Sequence, residues 1–299
     1  MKLKCVILLF TIVYPSGGEG LCENDQFSRV NFSDVSSNKL TSNMEMRSLT
    51  TCAKYCMTEN GCMSFAYTEN NRICDTYSKA LLGLTAASSS STKFFTKPPP
   101  SDVYDYPVAG GPTIQVYLDM DTADSPWIVI QRRINADVVF YRNWADYKNG
   151  FGDLQGNFWL GNDNIHLLTS IPVILRVELE GWDGTTGYAQ YSSFHVANEA
   201  QNYRLSVSGF TGNVLVDAFG THDGSDFSTN DRDNDLTQDN CAVEYKGGWW
   251  YNTCHESNLN GLYMVDNGAS DTTAIVWKKF PWIDRAAPLR KSTMMIRKL

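Results

Sequence analysis

The stretch NCAVEYKGGWWYNTCHESNLNG, residues 240–261, gathers two cysteines, two tryptophans, two tyrosines and a histidine into 22 positions. Cys241 and Cys254 bracket a loop of about 14 residues, and a disulfide across such a loop contributes roughly 3 kcal/mol. Trp249 and Trp250 read as core. Tyr245 and His255 offer aromatic faces with a few polar groups, which suits a small acetyl or sugar group. Just upstream, DRDNDLTQD (231–239) sets acidic side chains at alternate positions in a polar loop. That spacing converges oxygens on a hard cation such as calcium. An EF-hand needs Gly at its sixth position and Glu at its twelfth. Leu236 and Ala242 stand there, so the loop is not an EF-hand. Spacing alone leaves two readings open, a calcium loop or a solvated acidic loop.

Outward from this stretch, IQVY (114–117), WIVIQ (127–131), VILRVEL (173–179) and YRLSV (203–207) predict strands. WADY (144–147) and IHLL (165–168) predict short helices. Gly, Asn and Asp turns separate them. The expected class is α+β with an antiparallel sheet.

The 299-residue chain is 42% hydrophobic and 19% charged, with a formal net charge of -8. Such a composition builds a globular core. Its acidity and lack of a basic stripe argue against a nucleic-acid partner. Residues 1–20 read as a signal peptide: Lys2 and Lys4, an apolar run at 5–14, then small residues. That run is well short of the ~20 residues that cross a bilayer, and no later stretch reaches that length, so no membrane span is expected. The expected location is secreted, extracellular. Cys5 lies in this leader, so seven of the eight cysteines remain in the mature chain. In an oxidising compartment they are disulfide partners first, and an odd number leaves one without an intrachain partner. Asn31, in the triplet NFS, is a candidate glycosylation site. A serine run at 88–91 and KPPP at 97–100 read as a Ser/Pro-rich linker over 88–100, between domains at 21–87 and 101–299.

In the smaller segment, LTTCAKYCM (49–57) predicts a helix with Cys52 and Cys56 on one side. Cys62 and Cys74 follow, around the strand-like SFAY (64–67). The string CAKYCMTENGCMSFAYTENNRIC (52–74), with Leu21 and Cys22 at the start, resembles the PAN/apple module. The resemblance implies the disulfides Cys52–Cys74 and Cys56–Cys62. It leaves Cys22 as the unpaired cysteine, the candidate for an interchain disulfide and a disulfide-linked homo-oligomer.

The larger segment is similar to the fibrinogen C-terminal domain family, which includes ficolins, tachylectins, tenascins and angiopoietin-like proteins. The resemblance rests on WIVIQRR (127–133), FYRNWADYKNGFGDLQGNFWLGNDNIHLLT (140–169), LRVELEGWDG (175–184), FSTNDRDND (227–235), the stretch at 240–261 and MMIR (294–297). It implies that Asp233 and Asp235 bind Ca2+ with the backbone carbonyls of Thr237 and Asp239. It implies a Cys241–Cys254 disulfide, a cis peptide between Thr253 and Cys254, and a ligand pocket at Tyr245, Thr253, Cys254 and His255. Two departures stand out. Aromatic wall positions of the family near Asp271 and Ala287 are not aromatic here. The family's extra disulfide is missing both cysteines, one replaced by Leu118 in VYLDM (116–120), with packing by Leu118 expected instead.

No HExxH or GxSxG motif is present, and the resemblance is to a non-enzymatic family, so no enzyme is expected. The first expectation is a secreted, calcium-dependent, lectin-like recognition protein of innate defence. It would bind glycans or glycoproteins, acetylated sugars among them, on microbial or cell surfaces. The alternative is a protein-binding matrix or signalling ligand of the angiopoietin-like or tenascin type.

Overall fold

The computed structural model describes residues 101–298 except 109, 110, 124 and 125, together with the backbone of four strands nearer the N terminus. The chain divides into two compact units, Met1–Pro99 and Pro100–Leu299. Four strands of the first unit, β1 (Lys39–Glu45), β2 (Ser64–Thr68), β3 (Ile73–Tyr77) and β4 (Thr92–Thr96), form an antiparallel sheet in the order β1-β3-β2-β4. β4 corrects the linker expected at 88–100. It pairs with β2 along its full length, from Thr92 opposite Thr68 to Thr96 opposite Ser64. The β-branched and aromatic TKFFT suits a strand, a signal hidden beside the serine run. The expected leader, Cys22, Asn31, the helix at 49–57 and Cys52, Cys56 and Cys62 lie outside the described residues. Of Cys74, only the backbone, in β3, is described.

The second unit is built on one antiparallel sheet. Its strands are β5 (Asp102–Pro107), β6 (Thr113–Asp119), β7 (Trp127–Arg133), the short β8 (Phe151–Gly152) and β9 (Phe158–Trp159), β10 (Val173–Gly181), β11 (Thr186–Val196), β12 (Leu205–Gly212) and, after the short pair β13 (Ser257–Asn258) and β14 (Val276–Trp277), β15 (Leu289–Arg297). The main order is β12-β11-β10-β15-β7-β6-β5. β10 buries Val173, Leu175, Val177 and Leu179 at every second residue, the period a strand imposes. β15 threads between β10 and β7 and buries Met294, Met295 and Ile296. β12 begins at Leu205, two residues later than expected, because Asn202 and Tyr203 both take positive φ in a turn. Leu118 is packed against the core, and the β5–β6 ladder sets it opposite Asp102, so packing and paired backbone hold this edge.

Two short helices lie between β7 and β10. Helix α1 (Trp144–Asn149) is capped by Asn143, whose side chain accepts from the Asp146 amide at 2.9 Å, and it buries Trp144 and Tyr147 one turn apart. It ends at Gly150, whose φ is +88° and where a Cβ would come within 2.7 Å of the Leu160 carbonyl oxygen. Helix α2 (Asn162–Leu168) follows. Trp159, Phe227, Trp250, Phe219 and Trp249 continue the aromatic core through contacts of 5.2–6.0 Å between ring centres. Trp249 and Trp250 are fully buried, as expected of core residues.

Candidate functional site

The acidic loop folds back on itself through its own side chains. Asp235 accepts from the Thr237 amide and hydroxyl, both at 2.8 Å, and from the Cys241 amide at 2.8 Å. The Asp233 carboxylate accepts from the Asp235 amide at 3.2 Å. The Thr237 hydroxyl also meets the carbonyl oxygen of Asp239. Asp233, Asp235, Thr237 and Asp239 are thus brought to one oxygen-rich turn. Burial first, then the charge of Asp235, pushes the Asp233 carboxyl above its ordinary value. Among the described residues, no Lys or Arg forms an ion pair with Asp231, Asp233, Asp235 or Asp239. Among the described residues no three His, Cys, Asp or Glu side chains gather into a metal cage, so a hard divalent cation here would rest on two carboxylates and backbone carbonyl oxygens, a donor set made only of oxygen.

Asp231 has another task. Its carboxylate accepts from the Trp144 amide at 2.8 Å and from the Thr229 hydroxyl at 2.7 Å, joining the loop to the start of α1. Sequence spacing treats Asp231 and Asp233 alike; the structure separates them. Asn240 was not singled out in the sequence. It caps the short helix α3 (Cys241–Glu244) by accepting from the Val243 amide, and it donates to the Thr229 carbonyl at 3.0 Å. An Asn three residues before an amide at a helix start was a readable signal. Asn234 also clamps the loop, donating through its side chain to the Phe227 carbonyl at 2.7 Å.

The disulfide Cys241–Cys254 joins this turn to the aromatic cluster, with Cα atoms 5.6 Å apart. The peptide between Thr253 and Cys254 is cis. A second strap runs beside the disulfide: the Leu236 amide donates to Asn252, and the Asn252 amide donates to Cys254. Tyr245 meets His255 edge to face, with ring centres 4.5 Å apart, and Tyr251 lies 6.1 Å from His255. Both ring nitrogens of His255 are covered and lack a hydrogen-bond partner; the Thr272 backbone faces the ring without meeting hydrogen-bond geometry. Burial lowers the His255 pKa to about 4, so the imidazole is neutral. His255 therefore offers no ring nitrogen to a ligand. Beyond Tyr245 and His255, the Asp271 amide donates to the Ala286 carbonyl, which draws together the segments around residues 271 and 286.

Behind the cluster, His222 is 1% exposed. Its Nδ1 lies 2.8 Å from the Trp250 carbonyl oxygen, and its Nε2 accepts from the Ser257 amide at 3.3 Å. Burial lowers its pKa to about 3.

The sheet, the disulfide-closed aromatic loop and the acidic turn together define a fibrinogen-like globe, and a smaller β unit precedes it in sequence. Residues 101–299 match the C-terminal globular domain of fibrinogen beta and gamma chains, and the protein belongs to that family. Residues 22–97 match the PAN domain. Angiopoietin-related protein 7 of Homo sapiens is 44% identical over 201 residues, covering 66% of this chain and 58% of that protein. The Mus musculus protein of the same name is also 44% identical, covering 66% of this chain and 59% of its own length. The chain thus spans less than two thirds of these relatives. Among solved structures, the fibrinogen-like globe of human ANGPTL2 superposes with a TM-score of 0.62 at 38% identity, covering 66% of this chain and 92% of that one. Lamprey fibrin D-dimer, in complex with the peptide Gly-His-Arg-Pro-amide, gives a TM-score of 0.59 at 33% identity, covering 67% of this chain and 71% of that one.

Proposed function

We propose that this protein is a secreted, non-enzymatic, protein-binding ligand of the angiopoietin-related kind, with a calcium ion bracing its recognition loops. The 44% identity to angiopoietin-related protein 7 across the globe carries this reading. It favours the protein-binding alternative over the lectin expected first. The covered ring nitrogens of His255 point the same way, because a sugar pocket needs polar groups that reach the ligand. That lamprey fibrin takes a short peptide supports a polypeptide partner for this fold. Leu236, 75% exposed within the acidic turn, and Val243, 42% exposed just after it, offer apolar contact to such a partner. Among the described residues no helix is long and apolar enough to cross a membrane, and the leader at 1–20 supports export.

Calcium would be held by the carboxylates of Asp233 and Asp235 and the backbone carbonyls of Thr237 and Asp239. Its role is electrostatic: it neutralises the crowded carboxylates and fixes the turn that the disulfide joins to Tyr245 and His255. The protein's own residues supply the orientation, since Asp235 is already held by the Thr237 and Cys241 amides.

The test is a binding screen of the full-length protein against receptor ectodomains and a glycan array, each with calcium, with EDTA and with free N-acetyl sugar. Saturable binding to a protein, indifferent to sugar, is expected. Glycan binding that both EDTA and N-acetyl sugar abolish would restore the lectin reading.

A further inference from the structure

Two imidazoles far in sequence from the acidic loop are held in a reciprocal arrangement. His166 lies in the last turn of α2 and His195 in β11, with ring centres 6.4 Å apart and planes at 64°. His166 Nδ1 is 2.9 Å from the carbonyl oxygen of Val196, the residue after His195. His195 Nδ1 is 2.6 Å from the carbonyl oxygen of Thr169, three residues after His166. A carbonyl oxygen can only accept, so each Nδ1 carries a proton. In the neutral rings each Nε2 is then left as a bare lone pair. The frame is tied further by Thr169, whose hydroxyl donates to Ile165 at 2.8 Å and accepts from the Val196 amide at 3.1 Å. Neither Nε2 is among the buried polar atoms lacking a partner, and among the described residues no group bonds to either, so both open to solvent.

We propose that His166 and His195 together bind a zinc ion through their two Nε2 atoms, with water completing the shell. Donation of the other ring N–H to a backbone carbonyl is the outer-shell contact that fixes tautomer and orientation in metal-binding histidines. Here it occurs twice, and each contact anchors one ring to the segment bearing the other. Two imidazoles on one tetrahedral zinc, with Zn–N of about 2.0–2.1 Å, have ring centres roughly 5–6 Å apart. The observed spacing of 6.4 Å lies just beyond that range. Imidazole selects zinc, copper and nickel, whereas calcium takes oxygen, so this site and the acidic turn bind different metals. Asp163, one turn before His166, is held by Lys148 at 2.9 Å and the Tyr203 hydroxyl at 2.6 Å and is not counted as a ligand. It adds negative charge on the same helix.

The variants His166→Asn and His195→Asn separate ligation from tethering. An Asn amide can keep the donation made by Nδ1 but has no Nε2. Zinc is titrated calorimetrically into the full-length protein with calcium in excess. One zinc site is expected, weakened at least about tenfold in either variant and lost in the double variant. Wild-type affinity in the double variant, or no zinc binding by the wild type, overturns the proposal. A measurement on the wild type alone guards against misfolded variants. Histidine ring protons are followed by NMR as Cu2+ is added. Broadening of the His166 and His195 signals, with His222 and His255 spared, is expected. Equal broadening of all four, or none, overturns it.

Discussion

The guanidinium carbon of Arg133 lies 3.8 Å from the centre of the Phe140 ring, with Arg133 only 1% exposed. No carboxylate pairs with it in the described structure. Its Nη1 donates instead to the carbonyls of Leu259 at 3.1 Å and Gly261 at 2.9 Å. Burial lowers its pKa to about 9, so it stays charged at neutral pH. The ring face and the carbonyls replace a counter-ion, and they fasten β7 to the segment after the aromatic cluster.

Arg133→Ala is expected to lower stability by about 3 kcal/mol or more, because it opens a cavity and strands the Gly261 carbonyl. Arg133→Met refills the volume without a buried charge and is expected to recover at least half of that loss. Urea midpoints of the three proteins decide the matter. Equal midpoints for Ala and Met would mean that volume is not the issue.

Acid should destabilise the globe before its carboxylates titrate. Above the unfolded histidine pKa of about 6.5, His222 and His255 are neutral in both states and stability is full. Below it, the unfolded chain takes up protons that the folded core refuses until about pH 4 for His255 and about pH 3 for His222. Stability therefore falls as pH drops through this window, by up to about 1.4 kcal/mol per pH unit for each group. Urea unfolding between pH 7 and pH 5 measures the slope. His222→Asn should flatten it by one proton's share.

Calcium should raise the melting temperature of the full-length protein, and EDTA should reverse the effect. Asp235→Ala is expected to abolish the calcium response. Asp231→Ala should retain it while lowering the baseline by roughly 1 kcal/mol, since Asp231 serves Trp144 and Thr229. Loss of the calcium response in both variants would place Asp231 in the ligand set.

Gly150→Ala is expected to cost more than about 1 kcal/mol, because the residue takes positive φ and faces the Leu160 carbonyl at close range. Gly224→Ala provides the comparison. It shares a positive φ but has nothing within 4 Å, so it should cost less. Thermal melts of the two variants separate steric contact from backbone preference.

Legibility in the sequence followed chemistry that is local. β10 was readable because its alternation is unbroken, and α1 because Trp144 and Tyr147 sit one turn apart. β11 was not. Its TGYAQYSSFHV carries Gly, Gln and Ser on a strand whose stability comes from two neighbours rather than from its own propensity. In the candidate site, the oxygen spacing of Asp233 and Asp235 could be read directly. The separate role of Asp231 could not, because its partner Trp144 is 87 residues away. The covering of His255 likewise depends on residues near Thr272, which no local pattern connects to it.

The place of β15 between β10 and β7 sets an order of events during synthesis. When β12 has been made, the sheet still exists as two halves, β5–β7 and β10–β12, each with a bare edge where β15 belongs. Nearly eighty residues must follow β12 before that strand emerges. Until then β7 and β10 each expose an unpaired row of amides and carbonyls, the feature that invites pairing with another polypeptide. For the nascent protein, the hazardous interval runs from the completion of β10 to the arrival of Leu289, and a chaperone attending it has those two edges to shield.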